Sequence, residues 1–325
     1  YILLNDSYSF NLYLLLIVQG LAATADAIMI ISFSSLIPIL ATNHQELKKA
    51  NGLFATSDNL VLTISPFLGI WFSGLLGLKG ILIFDCISFL LAISFILLAP
   101  FNSKLIHKVS KVNNNNIYSL KNLFKKMFKN SNCFYFIFTL TITISYSYAS
   151  IEILFPAWIA TVYGSSRMGL VLFVAILGYL SGFICWNLIS LESLKKYLFI
   201  AITIQSLILM GSGLRFFENN IIFWMFGVFV FSLLLPIVTS SVQHIWSRLT
   251  PEIYITDLFA IRYAGEWSAR LLSFVFVSLL VDNVIEPLLF NRNLPIWMQA
   301  ALGNTNGREI AVSLGLIGWL LFLGM

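Results

Sequence analysis

Charge is scarce in this sequence: 10% of its 325 residues are Asp, Glu, Lys or Arg, against 59% hydrophobic, and the mean hydropathy is +0.90. A soluble protein of this size needs a polar coat, so the composition describes a chain whose main solvent is lipid. Cysteine is also sparse. Cys86, Cys133 and Cys185 are isolated at apolar runs, without CxxC spacing or a nearby His, and are expected to be small buried hydrophobes. His44, His107 and His244 share no ligand spacing, so neither a metal site nor a cofactor is expected. No Gly-x-x-x-x-Gly-Lys-Ser/Thr loop is present to support ATP-driven work. No Ser, His and Asp grouping suggests a nucleophile, so the chain is not expected to be an enzyme. Strand-like alternation over about ten residues is missing, which argues against a membrane barrel. Nor is there a basic, aromatic-interleaved face suited to nucleic acid.

What is present is a series of nine long apolar runs, at 10–40, 52–77, 80–99, 134–158, 168–190, 197–214, 221–243, 257–281 and 309–325. Most exceed the roughly 20 residues that cross a bilayer as helix, so the expected fold is an all-α polytopic membrane protein. The first run is too long for a signal-peptide core and has no basic residues before it, so it reads as a span. Between the third and fourth runs lies a polar linker, 100–133, with seven lysines (104, 108, 111, 121, 125, 126 and 129) and no acid. Such a loop stays in the cytoplasm. Alternation then puts Lys48, Lys49, Lys195, Lys196 and Arg248 inside, leaving Lys79, Arg167, Arg215, Arg292 and Arg308 outside. Three units are expected: 1–99, the linker 100–133, and 134–325. Gly74, Gly77 and Gly80 mark a tight outside turn between the second and third runs. The triplet Leu-Phe-Ala occurs at 53–55 and at 258–260, each time opening a span after an inside loop. It is either coincidence in an apolar chain or the trace of two parallel six-helix halves.

Ionisable groups inside apolar spans are expensive and tend to face a cavity or one another. Asp26, Asp58, Asp85, Glu152, Arg262, Glu266 and Arg270 are in that position. Arg262, Glu266 and Arg270 recur every fourth residue, so they share one face of the eighth span. An unpaired Arg270 near the midplane would cost a few kcal/mol at least, so Glu266 or an acid on another helix must pair with it. Two readings stay open, an intrahelical ladder that fixes packing and a substrate-binding strip. Ser65-Pro66 with Gly69 would bend or thin the second span for close packing, as an ordinary membrane-helix kink also would.

Several motifs carry a family resemblance. Leu36-Ile37-Pro38, Glu46-Leu47-Lys48-Lys49-Ala50-Asn51, Ser65-Pro66-Phe67-Leu68-Gly69 and Phe84-Asp85-Cys86-Ile87-Ser88-Phe89 resemble helices four to six of major facilitator superfamily exporters of the macrolide-efflux and enterobactin-exporter type. Gln243-His244-Ile245-Trp246, Thr250-Pro251-Glu252, Phe259-Ala260-Ile261-Arg262 and Val281 to Leu288 resemble the helix ten to eleven region of members associated with nonribosomal peptide synthetases. The resemblance covers about a third of the chain. Thr256-Asp257 stands where the family usually has Gly-Arg, and the helix-five pattern Gly-Pro-x-x-Gly-Gly is half kept. The resemblance implies helices 4–12 of a twelve-helix fold, so an N-terminally truncated chain is expected.

It further implies a secondary transporter in a bacterial inner (plasma) membrane, exporting a bulky amphipathic compound, a drug, siderophore or peptide natural product, by proton antiport. Its partners would be the lipid bilayer, a small-molecule substrate, protons and an upstream fused or co-encoded biosynthetic enzyme. Asp26 and Glu152 then fall on helices that line the central cavity, where a carboxylate can take up and release a proton. Ser65, Pro66 and Gly69 would form part of the gate, and Asp85 matches a structural position. The alternative is a non-transporting remnant, or a membrane segment of a larger biosynthetic protein.

Overall fold

The apolar runs fold as helices because a backbone in lipid must satisfy its own hydrogen bonds. The computed structural model describes residues 12–41, 43–98, 132–214, 221–250, 254–290 and 307–325. In order, these form α1 (Leu12–Leu40), α2 (His44–Leu98), α3 (Asn132–Tyr163), α4 (Ser165–Leu188), α5 (Leu194–Ser212), α6 (Ile221–Leu249) and α7 (Ile255–Leu280). A π-helical turn, Val281–Ile285, continues α7 into α8 (Glu286–Phe290), and α9 spans Arg308–Leu323. The wider π turn comes immediately before Pro287, whose ring cannot donate to a regular helical ladder. The lysine-rich linker, for which a cytoplasmic position is expected, lies almost wholly outside the described residues.

Six helices among the described residues are long and apolar enough to cross a membrane: Gly20–Leu40, Cys133–Tyr163, Arg167–Leu188, Leu194–Ser212, Ile221–Leu249 and Ile255–Leu289. The other three expected spans are helical as well. Two are the arms of α2 on either side of Gly77, and the third is α9. Gly77 is the break that the structure describes in α2, with φ 63° and ψ 177°, a backbone state that glycine enters without steric cost. The glycine-marked turn is therefore one residue wide. The sixth helix runs past the expected end at residue 243, because Gln243, His244 and Trp246 are accommodated inside the protein.

Residues 132–325 carry most of the core. One cluster joins α3, α5, α6, α7 and α9 around Leu140, Ile202, Val238, Trp246, Phe259 and Leu314. The Trp246 Nε1–H donates to Thr141 Oγ1 at 2.9 Å, which satisfies the indole inside this cluster. A second cluster sets Trp158 against Trp224, ring centroids 4.2 Å apart, beside Val171 and Ala311. The α4–α6 contact is close because Gly178 and Gly182 lie one turn apart against the α6 backbone. A Cβ at Gly182 would stand 2.1 Å from the Leu233 carbonyl oxygen, and one at Gly178 2.6 Å from that of Phe229.

The segment 12–98 joins this core along a narrow seam. The Ser34 and Tyr263 hydroxyls lie 2.6 Å apart, and Asn51 Nδ2 donates to Ser247 Oγ at 3.3 Å. Lys48 donates to the carbonyl of Ile189, the cap of α4, and its ammonium lies 5.1 Å from the Trp186 ring. A cation at a helix C-terminus is favourably placed there. Burial holds the Lys48 ammonium below the ordinary lysine value.

The cysteines differ from expectation. Cys86 and Cys133 are exposed and Cys185 is half-buried. An apolar residue on a membrane helix gains nothing by facing protein over lipid, so apolar character alone does not predict burial here.

Candidate functional site

A cavity of about 530 Å³ opens among α2, α3, α4, α5, α6 and α7, with α9 adding Leu314. Its size falls in the range of small-molecule sites. The helical repeat explains its walls. On α3, Thr141, Ile144, Tyr148, Ile151 and Phe155 follow one another at three- and four-residue steps, with Ser145 and Glu152 beside them, so one face of the helix is presented. On α6, Trp224, Val228, Phe231, Leu235, Thr239 and Val242 do the same, and Phe54 and Ala55 come from α2. The walls are mainly apolar and aromatic.

Among the described residues, four charged side chains reach this cavity, two acids and two arginines: Glu152, Arg262, Glu266 and Arg270. They form two ion pairs. Arg262 Nε donates to Glu266 Oε1 at 2.6 Å, and its Nη1 donates to Gln243 Oε1. The guanidinium carbon of Arg262 also lies 5.7 Å from the Trp246 ring, 5.7 Å from Phe259 and 5.2 Å from Tyr263. This pair is enclosed, with side-chain exposures of 8% for Arg262 and 15% for Glu266.

The second pair joins two helices. Arg270 Nη2 on α7 donates to both carboxylate oxygens of Glu152 on α3, at 2.7 and 2.5 Å. Its side chains are 24% exposed at Arg270 and 46% at Glu152. The ladder on α7 is thus half intrahelical: Arg270 takes its acid from another helix, which spares Glu266 for Arg262. A charge-assisted contact between helices both neutralises the arginine and sets the α3–α7 spacing.

Asp26, the other expected proton carrier, is exposed on α1 and is not among the residues that line the cavity. Asp85 is exposed on the later arm of α2, where Ser88 Oγ donates to its carbonyl at 2.7 Å. Ser65 is exposed. The side chains of Asp58 and Pro66 and the surroundings of Gly69 lie outside what the structure describes.

Several neutral groups complete the site without having been singled out from the sequence. Tyr148 donates to Gln205 Oε1 at 2.8 Å, and Gln205 Nε2 donates to the Phe231 carbonyl at 3.1 Å, tying α3, α5 and α6 together behind the cavity. Gln243 supports Arg262. The signal was available, since Gln205 and Gln243 are amides within otherwise apolar runs. Among the described residues no group of three or more His, Cys, Asp or Glu side chains is arranged to hold a metal ion.

Comparison with known proteins gives one match. The family model described as Major Facilitator Superfamily matches residues 1–274. No curated protein and no solved structure matches the chain.

Proposed function

The chain belongs to the Major Facilitator Superfamily, a family of membrane transporters, and from that premise we propose that it exports a bulky amphipathic compound in exchange for protons. The exporter is of the macrolide-efflux and enterobactin-exporter type. It works by alternating access, with two helical units rocking around a central site in a bacterial inner membrane. The compound is a drug, a siderophore or a peptide natural product made by a co-encoded biosynthetic enzyme.

One observation carries this reading: a largely apolar cavity of about 530 Å³ that contains an interhelical carboxylate–guanidinium pair. Such a cavity suits an amphipathic guest. Glu152 is the more exposed of the two acids described there, and an acid that alternates between an arginine, a proton and a substrate group links their occupancies. In this proposal Glu152 carries the proton and Asp26 on α1 is the second carrier. The second and eighth spans, the first arm of α2 and α7, act as the gate, with Ser65, Pro66 and Gly69 shaping the α2 arm.

The test is movement of fluorescent dansyl amphipaths into inverted membrane vesicles, with and without a proton gradient. Wild-type protein is expected to accumulate at least one of a cationic, an anionic and a zwitterionic member. Glu152→Gln and Asp26→Asn are each expected to reduce that accumulation, and the double variant to abolish it. A well-inserted wild-type chain that moves no member under either condition would overturn the export reading and favour a non-transporting membrane segment.

A further inference from the structure

The two ion pairs in the cavity are held by different means, and only one can part without leaving a buried charge stranded. Arg262 and Glu266 are enclosed, with Gln243 and three aromatic rings around the guanidinium. Separating them would leave both charges with little water to replace the lost partner. Glu152 and Arg270 face the cavity, at 46% and 24% exposure, and the Arg270 guanidinium lies 5.5 Å from the Trp267 ring. Water or a guest can take over each partner's hydrogen bonds.

The charge balance then restricts the guest. With both pairs closed the four described charged side chains sum to zero. A cationic guest on Glu152 leaves Arg270 without an acid, and an anionic guest on Arg270 leaves Glu152 without a base. A guest bearing both signs engages both side chains and keeps these four charges balanced. Resting on the transporter reading above, we propose that the opened Glu152–Arg270 pair is a clamp for zwitterionic amphipaths. The guest's ammonium lies on Glu152, its carboxylate on Arg270, and its apolar body against Phe155, Trp224 and Phe231. Peptides and amino-acid conjugates with free ends have this chemistry. The clamp requires no movement of the Arg262–Glu266 pair, which stays as the fixed wall of the site.

Three probes with one dansyl body separate the possibilities. They are Nε-dansyllysine, a zwitterion, dansylcadaverine, a cation, and 6-(dansylamino)hexanoate, an anion. Titrated against purified protein in lipid nanodiscs, the zwitterion is expected to bind about tenfold more tightly than either singly charged probe. Glu152→Gln is expected to remove its margin over the anion, and Arg270→Gln its margin over the cation. The double variant is expected to bind all three alike. Equal affinities in the wild type, a singly charged probe binding first, binding of none, or a margin that survives in the double variant would each overturn the clamp.

The wild-type ranking decides the matter even where a variant fails to fold. Gradient-driven uptake into proteoliposomes, measured on whichever probes bind, keeps the two readings apart. Uptake without the ranking removes the clamp and keeps the transporter. The ranking without uptake keeps the clamp and removes the transport reading.

Discussion

Residues 12–98 and residues 132–325 are both helical and apolar, yet they use burial in opposite ways. In the first region the buried hydrophobic residues among those described are Leu47 and Ala55, and side chains such as Phe95, Leu97 and Leu98 are exposed. In the second, two clusters bury tryptophans at 158 and 246, and serines, amides and the arginines at 262 and 308 are buried as well. Because lipid is as apolar as leucine, facing it costs an apolar side chain nothing, so interiors are set by small and polar residues. The difference teaches where to look for chemistry. It lies where polar groups are gathered inward, along α3, α6 and α7, and the first region contributes to it through Phe54 and Ala55 and through the Ser34, Lys48 and Asn51 seam.

The contrast can be broken first at the α4–α6 contact. Gly182→Leu drives a side chain into the Leu233 backbone and should cost on the order of 4 kcal/mol, seen as lost folded protein and a large fall in Tm. Next in size is Arg262→Gln, which leaves Glu266 enclosed without its base and should cost about 3 kcal/mol in the same assay. Arg270→Gln tests the other pair. With partial exposure at both ends it should cost about 1 kcal/mol in stability while lowering transport, which separates a working pair from a structural one. The smallest effect belongs to the first region: Leu97→Ala, at a side chain 79% exposed, should stay within about 0.5 kcal/mol of wild type. A large fall in Tm for Leu97→Ala, or none for Gly182→Leu, would remove the contrast.

Much of this fold is legible in the sequence because a membrane span is a local property. Each span needs only its own run of apolar residues, and the glycines around Gly77 announce the break in α2. The four-residue spacing of Arg262, Glu266 and Arg270 likewise announces a charged face without any partner in view. What the spacing could not supply was the partner of Arg270. Glu152 lies 118 residues away, and the pairing exists only once α3 and α7 are side by side. The same limit hid the α4–α6 contact: Gly178 and Gly182 form a visible small-residue step, but the backbone they admit, at Phe229 and Leu233, is fixed by packing. Asp26 shows the converse. Its place within an apolar run made it a candidate beside Glu152, yet the two residues occupy different surroundings, one exposed on α1 and one on the cavity wall.

The most direct measurement compares Glu152→Gln with wild type in proteoliposomes under two regimes, gradient-driven uptake and equilibrium exchange of a bound dansyl probe. A residue that carries the coupling proton is needed when transport draws on the gradient and dispensable when probe merely exchanges for probe. The account predicts that Glu152→Gln reduces gradient-driven uptake far more than it reduces exchange. Uptake at the wild-type rate, with exchange unchanged, would contradict it.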